Sequence, residues 1–203
     1  MPATADVTLA ILAGGESSRM GRPKAQIHID GKPIVHWMLQ RLSWPGPTML
    51  VVSPGHQNPP GRELFASQVC DPVAGAGPLR GVLTVLENLR SPLAIIATVD
   101  MPGIGRTHLD WLIDAIAARD DLGILMSSHL ANGRAQAEPF PSAWRVRSID
   151  LVRSQLAKGD PSVRSLARSK GGALILAPQD WPASVWTNLN TPEDLATFLS
   201  ARS

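Results

Sequence analysis

The chain has 203 residues, of which 44% are hydrophobic and 18% are charged, and its formal net charge is +2. This length suits one domain with a sizeable core, and the composition is typical of a globular protein rather than a disordered one. The sequence has no concentrated basic stripe, no signal-peptide pattern and no apolar run near the roughly 20 residues of a membrane helix. We therefore expect a cytoplasmic protein that binds neither nucleic acid nor membrane.

From the N-terminus to about residue 128, short apolar runs alternate with helical patterns. Strands that alternate with helices predict an α/β protein with a three-layer, Rossmann-like, open and mostly parallel sheet and helices on both faces. The predicted strands are Val7–Leu12, Thr48–Ser53, Gln68–Cys70, Leu93–Val99 and Leu122–Ser127. The predicted helices are Ile34–Leu42, Leu79–Leu89 and Leu109–Ala117.

The remainder of the chain is less regular. The segment NGRAQAEPFPSAWR (132–145) is expected to be irregular, with Arg134, Glu138 and Trp144 available to a second ligand, although packing in the core is the favoured role for Trp144. No linker or repeat divides the chain, so we expect residues 1–203 to form a single domain. The further predicted elements are a helix near Arg147–Leu156, a helix opened by Asp160-Pro161, a strand near Ala173–Leu176 and a terminal helix capped by Thr191.

The segment LAGGESSRMGRPKA (12–25) follows the first predicted strand directly and combines glycines with Arg19 and Lys24. A loop of bare backbone and positive charge at the carboxyl end of a strand is typical of phosphate binding. The spacing fits neither a Walker A loop nor the dinucleotide fingerprint, because Gly21 precedes Arg22 and the first two glycines are adjacent. A flexible surface turn is the alternative, but it does not explain the two cations.

Three further motifs follow predicted strands or precede helices. Asp71 begins the glycine-rich loop DPVAGAGPLRG, and Asp100 follows the long apolar strand, where a carboxylate is well placed to hold Mg²⁺. The segment NLN places the amides of Asn188 and Asn190 on the same side of an extended chain. Turn or capping roles are the alternatives for Asp71, Asp100 and Asn190.

Cys70 is the one cysteine of the sequence, which excludes an intrachain disulfide and a thiolate metal cage. Its place beside Asp71 raises the possibility of a nucleophile, but a small buried hydrophobic residue is the favoured interpretation. The five histidines show no metal-ligand spacing, and none is assigned a catalytic role.

Taken together, LAGGESSRMGRPKA, GAGPLRG, VDMP and NLNTPEDL resemble the molybdenum cofactor guanylyltransferases, in order and across nearly the whole chain. The first motif alone marks the broader nucleotidyltransferase superfamily. The resemblance implies transfer of GMP from GTP to molybdopterin, with Mg²⁺ as cofactor and pyrophosphate as by-product. It further implies a nucleotide-binding part over about residues 1–128 and an acceptor-binding part over about 129–203. Proteins that deliver or receive the cofactor are additional candidate partners.

The resemblance and the motifs together assign catalytic roles to Arg19, Lys24 and Asp100, with Asp100 as metal ligand, and tentative acceptor-binding roles to Asn188 and Asn190. Two departures matter. Ser53 stands where the family often has Asn, which weakens one nucleoside contact, and GRPK (21–24) is also common in the cytidylyl relatives. Gly14, however, stands where the loop of those relatives typically has Ala, which favours guanylyl transfer. A cytidylyl- or sugar-phosphate nucleotidylyltransferase and a non-catalytic nucleotide-binding relative are the alternatives. The predicted nucleotide-binding residues are Leu12, Ala13, Gly14, Gly15, Lys24, Ser53, Asp71, Gly77 and Asp100.

Overall fold

The structure is a computed structural model that describes residues 4–14, 20–21, 23–56, 58–131 and 133–201. Its strands in these ranges are β1 (Val7–Leu12), β2 (His28–Ile29), β3 (Lys32–Pro33), β4 (Thr48–Val52), β5 (Ser67–Cys70), β6 (Leu93–Thr98), β7 (Ile124–Ala131), β8 (Arg134–Arg145) and β9 (Gly172–Leu176). Its α-helices are α1 (Ile34–Leu42), α2 (Pro78–Asn88), α3 (Arg106–Ala117), α4 (Ile149–Ala157) and α5 (Pro192–Ser200). In the part of the chain that is described, no helix has the length and apolarity needed to cross a membrane.

Seven strands form one sheet in the order β5-β4-β1-β6-β8-β7-β9, and β2 pairs with β3 in a separate hairpin. Within the seven-stranded sheet all pairs are parallel except those that β8 makes with β6 and β7, whereas β2 and β3 are antiparallel. Every residue of β1 and β4 is buried, so both faces of the sheet centre are covered, as expected for parallel strands between helical layers. The predicted three-layer, mostly parallel α/β fold is confirmed.

The segment 132–145 is the main error of the sequence-based interpretation. Instead of an irregular loop it contains β8, the longest strand of the described chain, whose Arg134 pairs with Ala131 of β7. Asn-Gly at 132–133 is the typical signal of such a hairpin, and Gly133 has the positive φ, +73°, that this turn requires. The pairing shifts at Met126/Ser127, and this irregularity disguises the strand in the sequence. Trp144 is fully buried, as the packing interpretation expected.

The predicted helix at Asp160-Pro161 is also wrong. The chain forms a short 3-10 helix at Arg164–Arg168 instead. The Asp160 carboxylate accepts from the Ser162 backbone N–H at 2.9 Å and from the Ser165 hydroxyl at 3.0 Å. Asp and Ser side chains that bond to nearby polar groups offer the chain an alternative to the helical ladder.

Cys70 is exposed, contrary to the expectation of a buried residue. The reason is the position of its strand: β5 lies at the edge of the sheet, and three of its four residues are exposed. Sequence reveals that a run can form a strand, but the position of that strand in the sheet follows from the whole topology.

The terminal helix begins as predicted. The Thr191 hydroxyl accepts from the Asp194 backbone N–H at 3.2 Å, and the Asp194 carboxylate accepts from the Thr191 N–H at 2.8 Å. Hydrogen bonds that the backbone N–H groups of Asn190 and Thr191 donate to its carboxylate lower the pKa of Asp194. The N-terminus of α5 is thereby fixed, and with it the segment that precedes it.

We expect Thr191→Ala to lower the free energy of unfolding by about 1 kcal/mol, because it removes a capping hydroxyl. Thr191→Ser retains that hydroxyl and serves as the control. Urea denaturation of the three proteins measures the difference, and equal stability of the Ala and Ser variants would contradict the capping role.

Candidate functional site

A cavity of about 350 Å³, hereafter the central cavity, lies at the carboxyl ends of β1, β4, β5 and β6. After β1 the chain adds β4 and β5 on one side of that strand and then β6 on the other, so the strand order reverses next to β1. Ligands of open α/β sheets bind at such switch points. The central cavity is lined by eight of the predicted site residues, which are Leu12, Ala13, Gly14, Lys24, Ser53, Asp71, Gly77 and Asp100.

Two predicted residues, Gly15 and Arg19, lie outside the described ranges. Sequence reasoning missed other residues of the lining, including Val73 of the 71–77 loop and Thr98 and Val99 ahead of Asp100. Their position next to the motifs in the sequence could have indicated a role in the site. Their side chains, however, have no charge or metal-binding group, so only the cavity itself shows that they line it.

Gly14 and Ser53 pack against each other where β1 and β4 end. A Cβ atom at position 14 would overlap the Ser53 hydroxyl and lie 3.1 Å from the Ser53 backbone nitrogen. Glycine is required at position 14 because any larger residue would prevent this close approach of the two strand ends.

The N-terminus of α2 points its first turn at the central cavity. Gly77 has φ +78° and ψ 173°, a conformation that favours glycine, and Pro78 follows as the first helical residue. Both line the cavity. The unpaired backbone N–H groups and the dipole at the start of this 11-residue helix favour a bound anion such as phosphate.

The Lys24 ammonium joins two of the predicted motifs. It donates to Oδ2 of Asp100 at 3.0 Å and to Oδ1 of Asn190 at 2.9 Å. The lysine and aspartate side chains are 18% and 25% exposed, so the pair is partly shielded from water and still accessible to a ligand. The turn and capping alternatives therefore do not account for the side chains of Asp100 and Asn190.

The asparagine segment is held in place through its backbone. The Leu189 N–H donates to the Asp100 carbonyl at 2.7 Å, and the Asn190 N–H donates to the Asp194 carboxylate at 2.9 Å. Leu189 is fully buried, so it anchors the segment while the flanking side chains stay accessible. Asn188 does not reach Lys24 in the contacts that are described; its amide donates to the Trp186 carbonyl at 3.3 Å.

Asp71 lies on the opposite side of the central cavity from the asparagine segment, at the end of β5. It is 9% exposed, and its Oδ1 has no hydrogen-bond partner within the described chain. Burial raises the pKa of this carboxyl, and the nearby Thr84 hydroxyl and Arg80 guanidinium offset that rise in part. A buried carboxylate oxygen without a donor is unfavourable until a ligand supplies one.

The residues present fit a metal ion that is held mainly by substrate phosphates. Among the described residues no group of three or more His, Cys, Asp and Glu side chains could form a metal site. Asp100 thus offers a single carboxylate beside Lys24. Mg²⁺ commonly keeps several waters and binds through one or two carboxylates plus phosphates, which agrees with this sparse set of ligands.

Comparisons with known proteins identify the family. The sequence model of the MobA-like NTP transferase domain matches residues 9–174. The chain is 31% identical to the molybdenum cofactor guanylyltransferase of Cupriavidus necator, covering 97% of this chain and 98% of that protein. It is 32% identical to the molybdenum cofactor guanylyltransferase of Cupriavidus metallidurans, covering 94% and 93% of the two chains. The chain belongs to the molybdenum cofactor guanylyltransferase family. It is therefore a nucleotidyltransferase.

Solved structures agree with the fold. Molybdopterin-guanine dinucleotide biosynthesis protein A from Archaeoglobus fulgidus superposes with a TM-score of 0.74 at 22% identity, covering 96% of this chain and 98% of that one. The 2-C-methyl-D-erythritol 4-phosphate cytidylyltransferase from Thermus thermophilus superposes with a TM-score of 0.70 at 18% identity, covering 96% and 98%. A guanine dinucleotide biosynthesis protein and a cytidylyltransferase thus share this fold. The fold by itself therefore does not identify which nucleotide a protein uses.

We expect Asp100→Asn to fold normally and to lose roughly 100-fold or more in metal-dependent turnover, because it removes the charge that pairs with Lys24 and would hold the metal. Asp114→Asn makes the same chemical change on the exposed side of α3 and should have wild-type activity. Steady-state kinetics and thermal unfolding of both variants measure this. A well-folded Asp100→Asn enzyme with near-normal turnover would contradict the assignment.

Lys24→Ala should weaken triphosphate binding and transfer with little loss of thermal stability, since the ammonium contacts two polar groups at the cavity and no core residue is lost. Arg19→Ala is expected to behave in the same way. GTP titration and thermal melts without ligand measure the two effects. Loss of most of the thermal stability in either variant would instead identify a structural ion pair.

Proposed function

We propose that this enzyme transfers GMP from GTP to molybdopterin and releases pyrophosphate. The observation that carries the proposal is the Lys24 ammonium, which lines the central cavity together with Asp100 and donates hydrogen bonds to both Asp100 and Asn190. The names of the relatives in the same family support the substrates. Purified protein incubated with molybdopterin, Mg²⁺ and each nucleoside triphosphate should release pyrophosphate fastest with GTP.

In the proposed reaction, the phosphate of molybdopterin attacks the α-phosphorus of GTP in line. A new P–O bond forms, and the bond to the β-phosphate breaks as pyrophosphate leaves. This chemistry requires no side-chain nucleophile; it depends on positioning and on neutralisation of the charge that develops on the phosphates. Lys24, Arg19 and the start of α2 would supply this positive potential.

Nucleotidyltransferases of this family generally use a divalent metal ion. We propose Mg²⁺, held by Asp100. When bound, the ion would polarise phosphate oxygens and stabilise the leaving group. Lys24 would orient the Asp100 carboxylate for this purpose, and Asn190 would orient Lys24.

The two substrates are proposed to bind to different parts of the chain. We propose that residues before about 128 bind the nucleotide, that residues 129–203 bind the acceptor, and that Asn188 and Asn190 lie between the two substrates. Gly15, Gly77 and Ser53 would contact the nucleotide from the strand ends. A cytoplasmic location and delivery of the cofactor by other proteins remain predictions from the sequence.

Base choice is proposed to depend on Asp71. Guanine carries two adjacent donors, a ring N–H and an amino group, which one carboxylate can accept together. Cytosine presents an amino donor beside a ring acceptor, so the same carboxylate would meet one favourable and one repulsive contact. The unpartnered Oδ1 of Asp71 at the cavity matches the first pattern.

Asp71→Asn should reduce GTP affinity while CTP affinity stays level or rises. The ratio of GTP affinity to CTP affinity should therefore fall by roughly tenfold or more. Isothermal titration with both nucleotides measures the ratio. Asp114→Asn again serves as the matched control. Equal losses for GTP and CTP would leave Asp71 as a residue that only organises its own turn.

The same site predicts a pH dependence. Because burial raises the pKa of Asp71, its carboxylate takes up a proton at a higher pH than an exposed aspartate does. As the pH is lowered from 7.5, GTP affinity should therefore begin to fall at a higher pH than an exposed aspartate would give, and it should fall more steeply in the wild type than in Asp71→Asn. Identical pH profiles for the two proteins would contradict recognition by the ionised carboxylate.

A further inference from the structure

A second buried carboxylate, that of Glu138, lies in the hairpin of β7 and β8. Glu138 is 3% exposed and stands directly opposite Ser127, while Gln136 stands directly opposite His129. Residues two apart on one strand and their direct partners across the ladder share a face. These four side chains, Ser127, His129, Gln136 and Glu138, hereafter the hairpin polar face, therefore project from the same side of the hairpin.

The hairpin polar face lacks internal hydrogen bonds for several of its buried atoms. The Ser127 hydroxyl is 1% exposed and, like Nδ1 of His129, has no hydrogen-bond partner in the described part of the chain. Glu138 accepts one bond at Oε1, from the Gln136 amide at 3.1 Å, and Nδ1 of His129 lies 3.6 Å from the same oxygen. Native interiors rarely leave such groups without partners, so a polar ligand on this face would compensate for their burial.

The position of the face relative to Asp100 follows from the register of the sheet. β8 pairs with β6 only as far as Ser142 opposite Ile96. The strands are antiparallel, so residues 134–141 continue beyond that pair towards the carboxyl end of β6, where Asp100 follows. The hairpin polar face thus lies at the same edge of the sheet as the catalytic residues, on the side away from Asp71 and β5.

Aromatic contacts connect this face with the asparagine segment. The His129 ring stacks on the Trp186 ring, with centroids 4.8 Å apart and an angle of 6° between the planes. The Trp186 carbonyl accepts from the Asn188 amide at 3.3 Å. A flat heterocycle bound next to Trp186 would thus lie close to the residues proposed to separate the two substrates.

We propose that Glu138 binds the acceptor substrate by accepting hydrogen bonds from the 2-amino-4-oxopyrimidine edge of its pterin ring. The inference rests on the proposed function. Guanine and pterin carry this same edge, with a ring N–H beside an amino group. The two buried carboxylates on opposite sides of the Lys24–Asp100 pair would then serve the two substrates, Asp71 the guanine and Glu138 the pterin. The exposed Gln136 amide occupies the donor position on Oε1 when no ligand is bound.

A pair of matched probes tests this assignment. Pterin carries the 2-amino group, whereas lumazine has a carbonyl oxygen in its place and would meet a carboxylate with one bond and one repulsion. Saturating GDP keeps the probes out of the guanine site. Under these conditions the wild-type protein should bind pterin roughly tenfold more tightly than lumazine. Glu138→Gln should lower this ratio to one or below, because its amide can accept from the ring N–H and donate to the carbonyl of lumazine. An unchanged ratio in Glu138→Gln, or no pterin preference in the wild type, would overturn the inference.

Controls separate a local effect from a damaged fold. Glu193→Gln makes the same chemical change at an exposed position of α5 and should keep the wild-type ratio. GDP affinity should be the same in all variants. If Glu138→Gln does not fold, Gln136→Ala tests the inference at an exposed residue: removal of the competing amide should tighten pterin binding several-fold and lumazine binding less. An equal change for both probes would overturn it.

Kinetics distinguish this inference from the proposed function. Glu138→Gln should raise KM for molybdopterin about tenfold and leave KM for GTP unchanged. If the enzyme turns over GTP and molybdopterin but the pterin-to-lumazine affinity ratio is the same in the wild type and in Glu138→Gln, the inference is refuted and the proposed function stands. Glu138-dependent probe selectivity without any GMP transfer would refute the proposed function and leave the pterin subsite in place.

Discussion

The Lys24 ammonium connects parts of the chain that are far apart in sequence. It donates hydrogen bonds to Asp100 and Asn190, which are 76 and 166 positions away. The first follows β6, and the second precedes the capped start of α5, so the bridge requires the sheet and the C-terminal segment to be in place together. This contact links the end of the segment 12–25 to the Asp100 carboxylate and to the asparagine segment.

The backbone supports the same arrangement. The Leu189 N–H bonds to the Asp100 carbonyl, and the Asp194 carboxylate accepts both the Asn190 and the Thr191 N–H groups. Asp194 thus completes a helix cap and orients a residue of the site with one side chain. A helix terminus is a rigid support, because its polar groups have few ways to be satisfied.

Desolvation at the edge of the sheet accounts for the chemistry of the two flanking carboxyl groups. Burial raises the pKa of both Asp71 and Glu138, and each lies near an arginine that offsets part of the rise. Such groups are unfavourable as isolated ions and become favourable when a ligand donates to them. The sheet therefore presents an acceptor on each side of the cationic centre, which suits an enzyme that must hold two nitrogen heterocycles while their phosphates react.

The sequence by itself predicted the strands of the main sheet and the α-helices up to residue 117, the start of α5 and eight of the residues that line the central cavity. These features depend on local patterns: apolar runs, a capping box, and polar groups directly after strands, which parallel strands gather at one edge. Tertiary structure decided the rest. The exposure of Cys70 follows from the edge position of β5, and the burial of Glu138 follows from the antiparallel β8, whose irregular pairing hides its alternation. Hydrogen-bond deficits such as those of Asp71 and Ser127 likewise exist only in the folded chain, because a group becomes unpaired when packing removes water without supplying a partner.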